Sequence, residues 1–411
     1  MMEPGVREPR PGRSARVWAA LVAAKLLYAA VVAGILAWGD AYDTRTAIWI
    51  GRHWFPEGWL SEPRGRWERH FATWDAEHYL YLAARGYTVE TPSIAFYPLW
   101  PGLIHAVGRL TGLSHVVVGL ILANLCSLLG WWLFHRVTAR RWGEEVADRA
   151  TLFLILFPGA LFFQFIYSEA LFFLLVMVLW WGLEQRRWGA AWIGAYLAPL
   201  ARGVGVFAVL PIAWHALKTL PWERLRRWRG GSAAGRGSEE PGGRRDGWGP
   251  WLLLAAPVLG WATYLGLMWV SRGNPWAGIE AQRYWGVHAI SKLWDFRTLA
   301  EGFFDVRVWH DFQGSLLDRL GFVVLMYSLP VQWRLGRDLI PWTLMLGIVP
   351  ALSGTFVSYI RFEACVFPLF VALGGFFSWL RRKWPFWAFA ALSLGVHLHL
   401  LWRFLNYRWA G

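Results

Sequence analysis

The sequence predicts an all-α polytopic membrane protein, and three observations carry that prediction. Apolar runs of bilayer length recur along the 411 residues, and 56% hydrophobic residues with a mean hydropathy of +0.32 exceed what an ordinary soluble domain needs. Many of the 33 tryptophans, including Trp131, Trp132, Trp180, Trp181 and Trp384, fall near the ends of those runs, as interfacial anchors do. The net charge of +14 is concentrated in arginines of short loops between the runs, a pattern that orients a membrane protein, so nucleic-acid binding is set aside. Cys126 and Cys365 both lie in apolar runs, which offers no disulfide framework. No cluster has metal-ligand spacing, and His53, His70 and His78 are irregularly placed, so neither a metal nor another cofactor is expected.

Taken in order, Arg7, Arg10, Arg13 and Arg16 precede the first run, which predicts a cytoplasmic N-terminus over 1–16 and an extracytoplasmic loop over 39–95. The run at 17–38 is too long for a signal-peptide core and lacks a cleavage site, so it reads as a retained span. Residues 99–110 read as in-plane or re-entrant, and a second span at 114–134 returns to Arg136, Arg140, Arg141 and Arg149 inside. Residues 151–184 are interrupted at Phe157-Pro158-Gly159 and Tyr167-Ser168-Glu169, which predicts two helices turning outside. Residues 190–217 repeat the scheme around Pro199 and Ala201-Arg202-Gly203, closing an N-terminal transmembrane module over 17–217. Residues 218–249, rich in Arg, Gly and Ser without apolar periodicity, read as a cytoplasmic disordered linker. The C-terminal module, 250–411, has a span at 251–270 and a second outer loop at 271–314, in which 279–285 is an amphipathic surface stretch. Spans follow at 316–333, 339–352, 356–380 and 386–404, with the C-terminus outside and about eleven spans in all by alternation of sides.

The chemistry concentrates in residues 71–101. Residues 73–85 read as a short helix stopped by Gly86, on which Asp75, His78 and Tyr79 share one face and Glu77 points elsewhere. A carboxylate, an imidazole and a phenol beside a membrane can abstract a proton and hold an anion. The plainer alternative is a capping Asp75 on an interfacial helix whose Trp74, Tyr79 and Tyr81 belong to an aromatic belt. Alternation of sides brings Asp75, Glu169, Arg202, the Gln282 loop and Arg361 to the outer face. Ionisable residues at membrane depth are costly, so Glu169, Arg202, Arg361 and Glu363 are functional candidates. Local pairing of Arg361 with Glu363, or snorkelling of Arg202, is the alternative for each alone, and their convergence favours a shared cavity. Arginine forks match phosphate oxygens, fixed cations stabilise a phosphate leaving group, and a carboxylate can deprotonate an acceptor hydroxyl. Those parts suit inverting sugar transfer from a lipid phosphate, and equally a transporter that binds an anionic lipid.

The order of motifs narrows this. Trp74-Asp75-Ala76-Glu77-His78-Tyr79, Gly86-Tyr87 and Phe96-Tyr97-Pro98-Leu99-Trp100-Pro101 resemble the first-loop signature of the GPI mannosyltransferase II (PIG-V-like) family of the GT-C glycosyltransferase superfamily. Phe157-Pro158-Gly159-Ala160 with Tyr167-Ser168-Glu169-Ala170-Leu171-Phe172 is similar to the family's FP…YTESLF segment, and Ala201-Arg202-Gly203-Val204-Gly205 to its TR-x-x-G turn. Gly273-Asn274-Pro275, Glu280-Ala281-Gln282 and Trp285-Gly286 resemble its GDP…AQ…WG loop, and Arg361-Phe362 with Phe367-Pro368-Leu369-Phe370 its RY…FPLF helix. The resemblance implies a GT-C-like helical bundle in the cell membrane that transfers mannose from a polyprenyl-phosphate carrier to an extracytoplasmic glycan, lipid or protein acceptor. Carried over, Asp75 is the base with His78 beside it as a catalytic neighbour. Trp74, Tyr79, Glu169, Arg202, Gln282 and Arg361 are expected to bind substrate. Glu68, Asp43 and Asp40 are alternative carboxylates in the same loop. Ala201, Asn274 and Phe362-Glu363 depart from the family pattern, which bears on the sugar and acceptor, and a GPI acceptor does not follow. The rival readings are a lipid-linked sugar flippase or transporter and an inactive membrane subunit. No internal repeat favours the transporter, and the retained Asp75 argues against the inactive subunit.

Overall fold

The computed structural model describes residues 13–56, 59, 67–88, 90–218, 249–286, 295–352 and 356–411, and these form helices with no strand among them. Nearly all of the linker expected at 218–249, the start of the N-terminal segment and residues 287–294 of the second loop lie outside the described residues. In chain order the helices are α1 Arg13–Trp38, α2 Thr44–Trp54, α3 Asp75–Arg85, α4 Leu99–Thr111, α5 His115–Trp142, α6 Glu144–Leu156, α7 Glu169–Glu184, α8 Trp188–Ala201, α9 Val209–Lys218 and α10 Gly249–Leu253. They continue with α11 Ala255–Arg272, α12 Ala277–Glu280, α13 Phe296–Phe304, α14 Leu316–Leu335, α15 Leu339–Thr343, α16 Val349–Ala351, α17 Tyr359–Glu363, α18 Phe367–Trp379 and α19 Trp384–Leu405.

Among the described residues, four helical stretches are long and apolar enough to cross a membrane: Arg13–Trp38, His115–Trp142, Gly249–Arg272 and Trp384–Leu405. Shorter apolar helices lie at Gly203–Lys218, Leu339–Ala351 and Phe367–Trp379. The broken segments expected from proline and glycine are broken in the structure. Helix α6 stops before Phe157, a tight turn runs Pro158–Phe163, and α7 starts at Glu169. Proline at the start of that turn lacks the N–H that would continue α6. Helix α8 carries Pro199 near its end, and the chain leaves it extended at Arg202. The expected single span at 356–380 is two helices instead, α17 and α18, separated at Ala364–Val366. Val366 caps the second piece outside the helical region, and Pro368 falls in its first turn, where the missing N–H is tolerated. The second span expected at 114–134 continues as α5 to Trp142, capped at its start by the Ser114 hydroxyl.

One large apolar cluster joins α5, α6, α7, α8, α18 and α19, and a smaller one ties Ile94, Ala95 and Ala281 of the loops to Leu200, Tyr264 and Met268. Helix α7 packs on both α5 and α8. At one end of α7, Glu184 pairs with Arg141 at 2.7 Å, and Arg141 also grips Asp338 at 2.5 Å. Glu169 opens the other end, so a rise of about 1.5 Å per residue puts roughly 22 Å between the two charged clusters. The length of α7 therefore sets the Glu169 end apart from the Arg141 end.

Backbone contact explains one glycine in the turn between α6 and α7. A β-carbon on Gly159 would fall inside contact distance of the Ile360 carbonyl and 3.1 Å from the Arg361 α-carbon. Gly159→Ala therefore forces α17 off the turn. Overpacking of this kind costs about 1–3 kcal/mol, and the expected result is a melting temperature several degrees lower in detergent.

Candidate active site

Four ionisable side chains from four separate segments meet at the Glu169 end of the bundle. Asp75 is the first residue of α3 and Glu169 the first of α7, where the positive end of the helix dipole favours a carboxylate. Arg202 follows the last residue of α8, where the negative end favours a cation. Arg361 comes from α17, which begins after Ser358, a non-glycine residue at φ 59°. The Arg361 guanidinium hydrogen-bonds the Asp75 carboxylate at 2.5 Å and lies 2.9 Å from Glu169, while Arg202 lies 2.5 Å from the same Glu169 oxygen. The result is a neutral chain, Asp75–Arg361–Glu169–Arg202.

All four are buried, Asp75 at 8%, Glu169 at 1% and both arginines at 9% exposure. The arginine N–H bonds miss the Glu169 oxygens, so charge rather than directed hydrogen bonding holds this acid. Aromatic faces close the cluster. Phe162, Tyr167 and Phe362 lie 5.4 to 5.6 Å from the Arg361 guanidinium, and Phe362 lies 4.5 Å from that of Arg202. In such surroundings charge pairs interact far more strongly than in water, and removing one partner strands a buried charge.

Helix α3 divides its expected face. Tyr79 lies about 40° round the helix from Asp75 and points the same way, with its hydroxyl 2.7 Å from the Ser168 hydroxyl beside Glu169. His78 lies about 100° from Tyr79 and turns toward the loop instead. Its ring is fully buried between Trp54, Phe55, Phe96 and Trp285, with Nδ1 2.8 Å from the Ser93 hydroxyl and no hydrogen-bond partner at Nε2. Burial in this apolar cage pulls its pKa down to about 3, leaving a neutral, weakly basic ring. Among the described residues, Asp75 and His78 share no hydrogen bond.

Trp74 precedes Asp75 at φ 52°, an unfavourable conformation for a bulky residue. It is held there by stacking on Tyr407 at 5.4 Å, an edge contact with Trp409 at 5.0 Å and donation from its indole N–H to the Arg408 carbonyl at 3.2 Å. Gln282 stands apart from the charge chain and donates to the Ala95 carbonyl at 2.8 Å, tying the second loop to the first. The other loop carboxylates have local partners: Asp43 caps α2 through Thr46, Asp40 lies 3.4 Å from Arg69, and Glu68 accepts from Ser114 at 2.9 Å. Both carboxylate oxygens of Glu363 are buried without a hydrogen-bond partner and not, as one alternative had it, paired with Arg361.

Sequence reasoning passed over Ser168, Phe162 and Tyr167 as site residues, although Tyr167 and Ser168 lie inside the quoted YSE motif and Phe162 lies two residues past the quoted FPGA segment. The signal for Tyr167 and Ser168 was their position next to Glu169 in sequence. Among the described residues, the group with metal-ligand spacing is His135, Glu144 and Asp148. Arg13 already bridges both of its acids, at 3.5 and 2.5 Å, so a cation there must displace a guanidinium.

Several known proteins are similar to this chain. Residues 61–222 match the family model described as mannosyltransferase (PIG-V). A GPI alpha-1,6-mannosyltransferase 2 of Cricetulus griseus is 33% identical over 141 residues, which is 32% of this chain and 28% of that protein. The aligned region thus spans little more than a quarter of that relative's length. Among solved structures, ArnT from Cupriavidus metallidurans bound to undecaprenyl phosphate superposes with a TM-score of 0.44 at 16% identity, covering 81% of this chain and 59% of that one. Its apo form gives a TM-score of 0.29 at 16% identity over 76% of this chain and 72% of that one.

Two measurements check this geometry. Glu169→Ala leaves two buried guanidiniums with a single carboxylate, and the expected loss of stability is about 3–5 kcal/mol, read as a lowered melting temperature. His78 binds its proton less readily folded than unfolded, so it destabilises the fold as pH drops below the ordinary histidine value of 6.5 toward 3. From pH 7 to pH 5 its contribution is about 2 kcal/mol, and His78→Gln is expected to flatten that part of the melting-temperature profile.

Proposed function

We infer, from a chain that is PIG-V-like over residues 61–222, that this protein is an integral membrane glycosyltransferase. We propose that it transfers mannose from a polyprenyl-phosphate carrier to an acceptor on the extracytoplasmic side, with the N-terminus in the cytoplasm. The observation that carries this reading is the buried Asp75–Arg361–Glu169–Arg202 chain, which sets a carboxylate beside two guanidiniums in an apolar surround.

In the proposed reaction Asp75 takes the proton of the acceptor hydroxyl, whose oxygen then forms a bond to the anomeric carbon. The bond from that carbon to the phosphate oxygen breaks, and the phosphate leaves carrying the electron pair. Arg361 and Arg202 stabilise the charge that grows on the leaving phosphate, an effect strengthened where water is excluded. Glu169 holds the two guanidiniums side by side. Tyr79 and Trp74 line the Asp75 side, while Gln282 and His78 keep the loop wall in place behind it. The bilayer supplies the donor laterally through its polyprenyl tail. No metal or other cofactor enters this scheme.

The test is transfer of labelled mannose from polyprenyl-phosphate mannose by purified protein in detergent. Loss of general-base help costs about 10²–10⁴-fold, so Asp75→Asn is expected to lower the rate per folded enzyme by that factor, together with a lower melting temperature because two buried guanidiniums then share one carboxylate. Full transfer by Asp75→Asn, with Glu68, Asp43 and Asp40 also dispensable, overturns the assignment.

A further inference from the structure

We propose that the Asp75–Arg361 ion pair is a lock opened by the phosphate of the lipid donor, so that Asp75 becomes a free base only once the donor is bound. The proposal rests on the reading of the site given above and assigns it an order of events: donor first, then deprotonation of the acceptor.

The argument is one of charge and burial. As the site stands, each arginine is already partnered, Arg361 by Asp75 and Glu169 and Arg202 by Glu169. Two carboxylates and two guanidiniums sum to zero. A phosphodiester entering this apolar enclosure adds a negative charge, and an uncompensated buried charge costs several kcal/mol. One carboxylate must therefore give way. Glu169 is the wrong one, because two cations lie within 2.9 Å of it and its side chain is 1% exposed. Asp75 has one cation partner, and its side chain is the more accessible at 11%. It also sits at the first position of its helix, after the strained Trp74, where a small change at one backbone position swings the carboxylate.

The arrangement has a chemical consequence. While Arg361 holds Asp75, the carboxylate oxygen that meets the guanidinium is occupied and does not face a hydroxyl. Phosphate that takes over the guanidinium leaves Asp75 beside the reacting centre with that oxygen free to take a proton. An enzyme built this way does not activate a hydroxyl, or water, in the absence of donor.

The experiment measures binding of polyprenyl phosphate, with the uncharged polyprenol as control, to wild-type protein, Asp75→Asn, Arg361→Gln and the double variant, each checked by its melting curve to be folded at the assay temperature. Removing the competing carboxylate is expected to tighten polyprenyl phosphate binding roughly tenfold, about 1.4 kcal/mol, even though transfer is lost. That gain should vanish in the Arg361→Gln background. Asp75→Asn binding no tighter than wild type, or an equal gain without Arg361, overturns the lock while leaving the glycosyltransferase reading intact. Wild type that prefers the phosphate no more than the polyprenol overturns both. Because Asp75→Asn can lose its fold, infrared difference spectra of the wild type on adding polyprenyl phosphate give a second test. A shifted carboxylate stretch supports the lock, and an unchanged carboxylate region overturns it.

Discussion

Two carboxylates and two guanidiniums lie in an apolar, aromatic enclosure, and none of them is tolerable there alone. Burying a single such charge costs more than most folding units can offset, so each of the four segments that carry them is constrained by the other three. The chain runs Asp75–Arg361–Glu169–Arg202, and it couples the first loop to the broken α6–α7 hairpin, the end of α8 and the short α17. Helix polarity assists, since both acids start helices and Arg202 follows the end of one. The unusual local structure of the bundle, including its breaks at Pro158 and Arg202 and the strained residues Trp74 and Ser358, is concentrated where these charges are delivered.

The remaining packing serves that delivery. Gly159 lets the turn approach the α17 backbone, and Gly203 leaves room for the Tyr97 hydroxyl beside Arg202. The aromatic residues do more than fill space. Phe162, Tyr167 and Phe362 present ring faces to the guanidiniums, which is favourable for a cation and excludes water at the same time. His78 belongs to this apolar framework. Its ring is caged by four aromatic side chains, and the low proton affinity that follows sets it apart from Asp75 in chemistry as well as direction.

Much of this was legible before any coordinates. Hydropathy identifies the helical class, proline and glycine mark most of the breaks, and the cost of burying charge singles out Glu169, Arg202, Arg361 and Glu363, of which the first three join the charge chain. The shared face proposed for Asp75, His78 and Tyr79 shows where such reasoning stops. Residues three and four apart both count as neighbours on a helix, yet they differ by about 100° in direction, and only what stands opposite decides which of them faces the site. Glu363 illustrates the same limit. Two residues from Arg361 in sequence, it was a natural partner, but Arg361 turns to Asp75 and Glu169 instead.

Periodicity, composition and motif order act over stretches of the chain, so the sequence by itself determined that this is a helical membrane protein, that 151–184 and 190–217 break, and which ionisable residues are costly at membrane depth. Which acid meets which arginine was decided only in three dimensions. Asp75 and Arg361 are 286 positions apart and Glu169 stands between them in sequence. No local rule relates residues at that separation. Their pairing follows from the requirement that buried charges sum to zero within a few ångströms, a condition that exists only once the helices have packed.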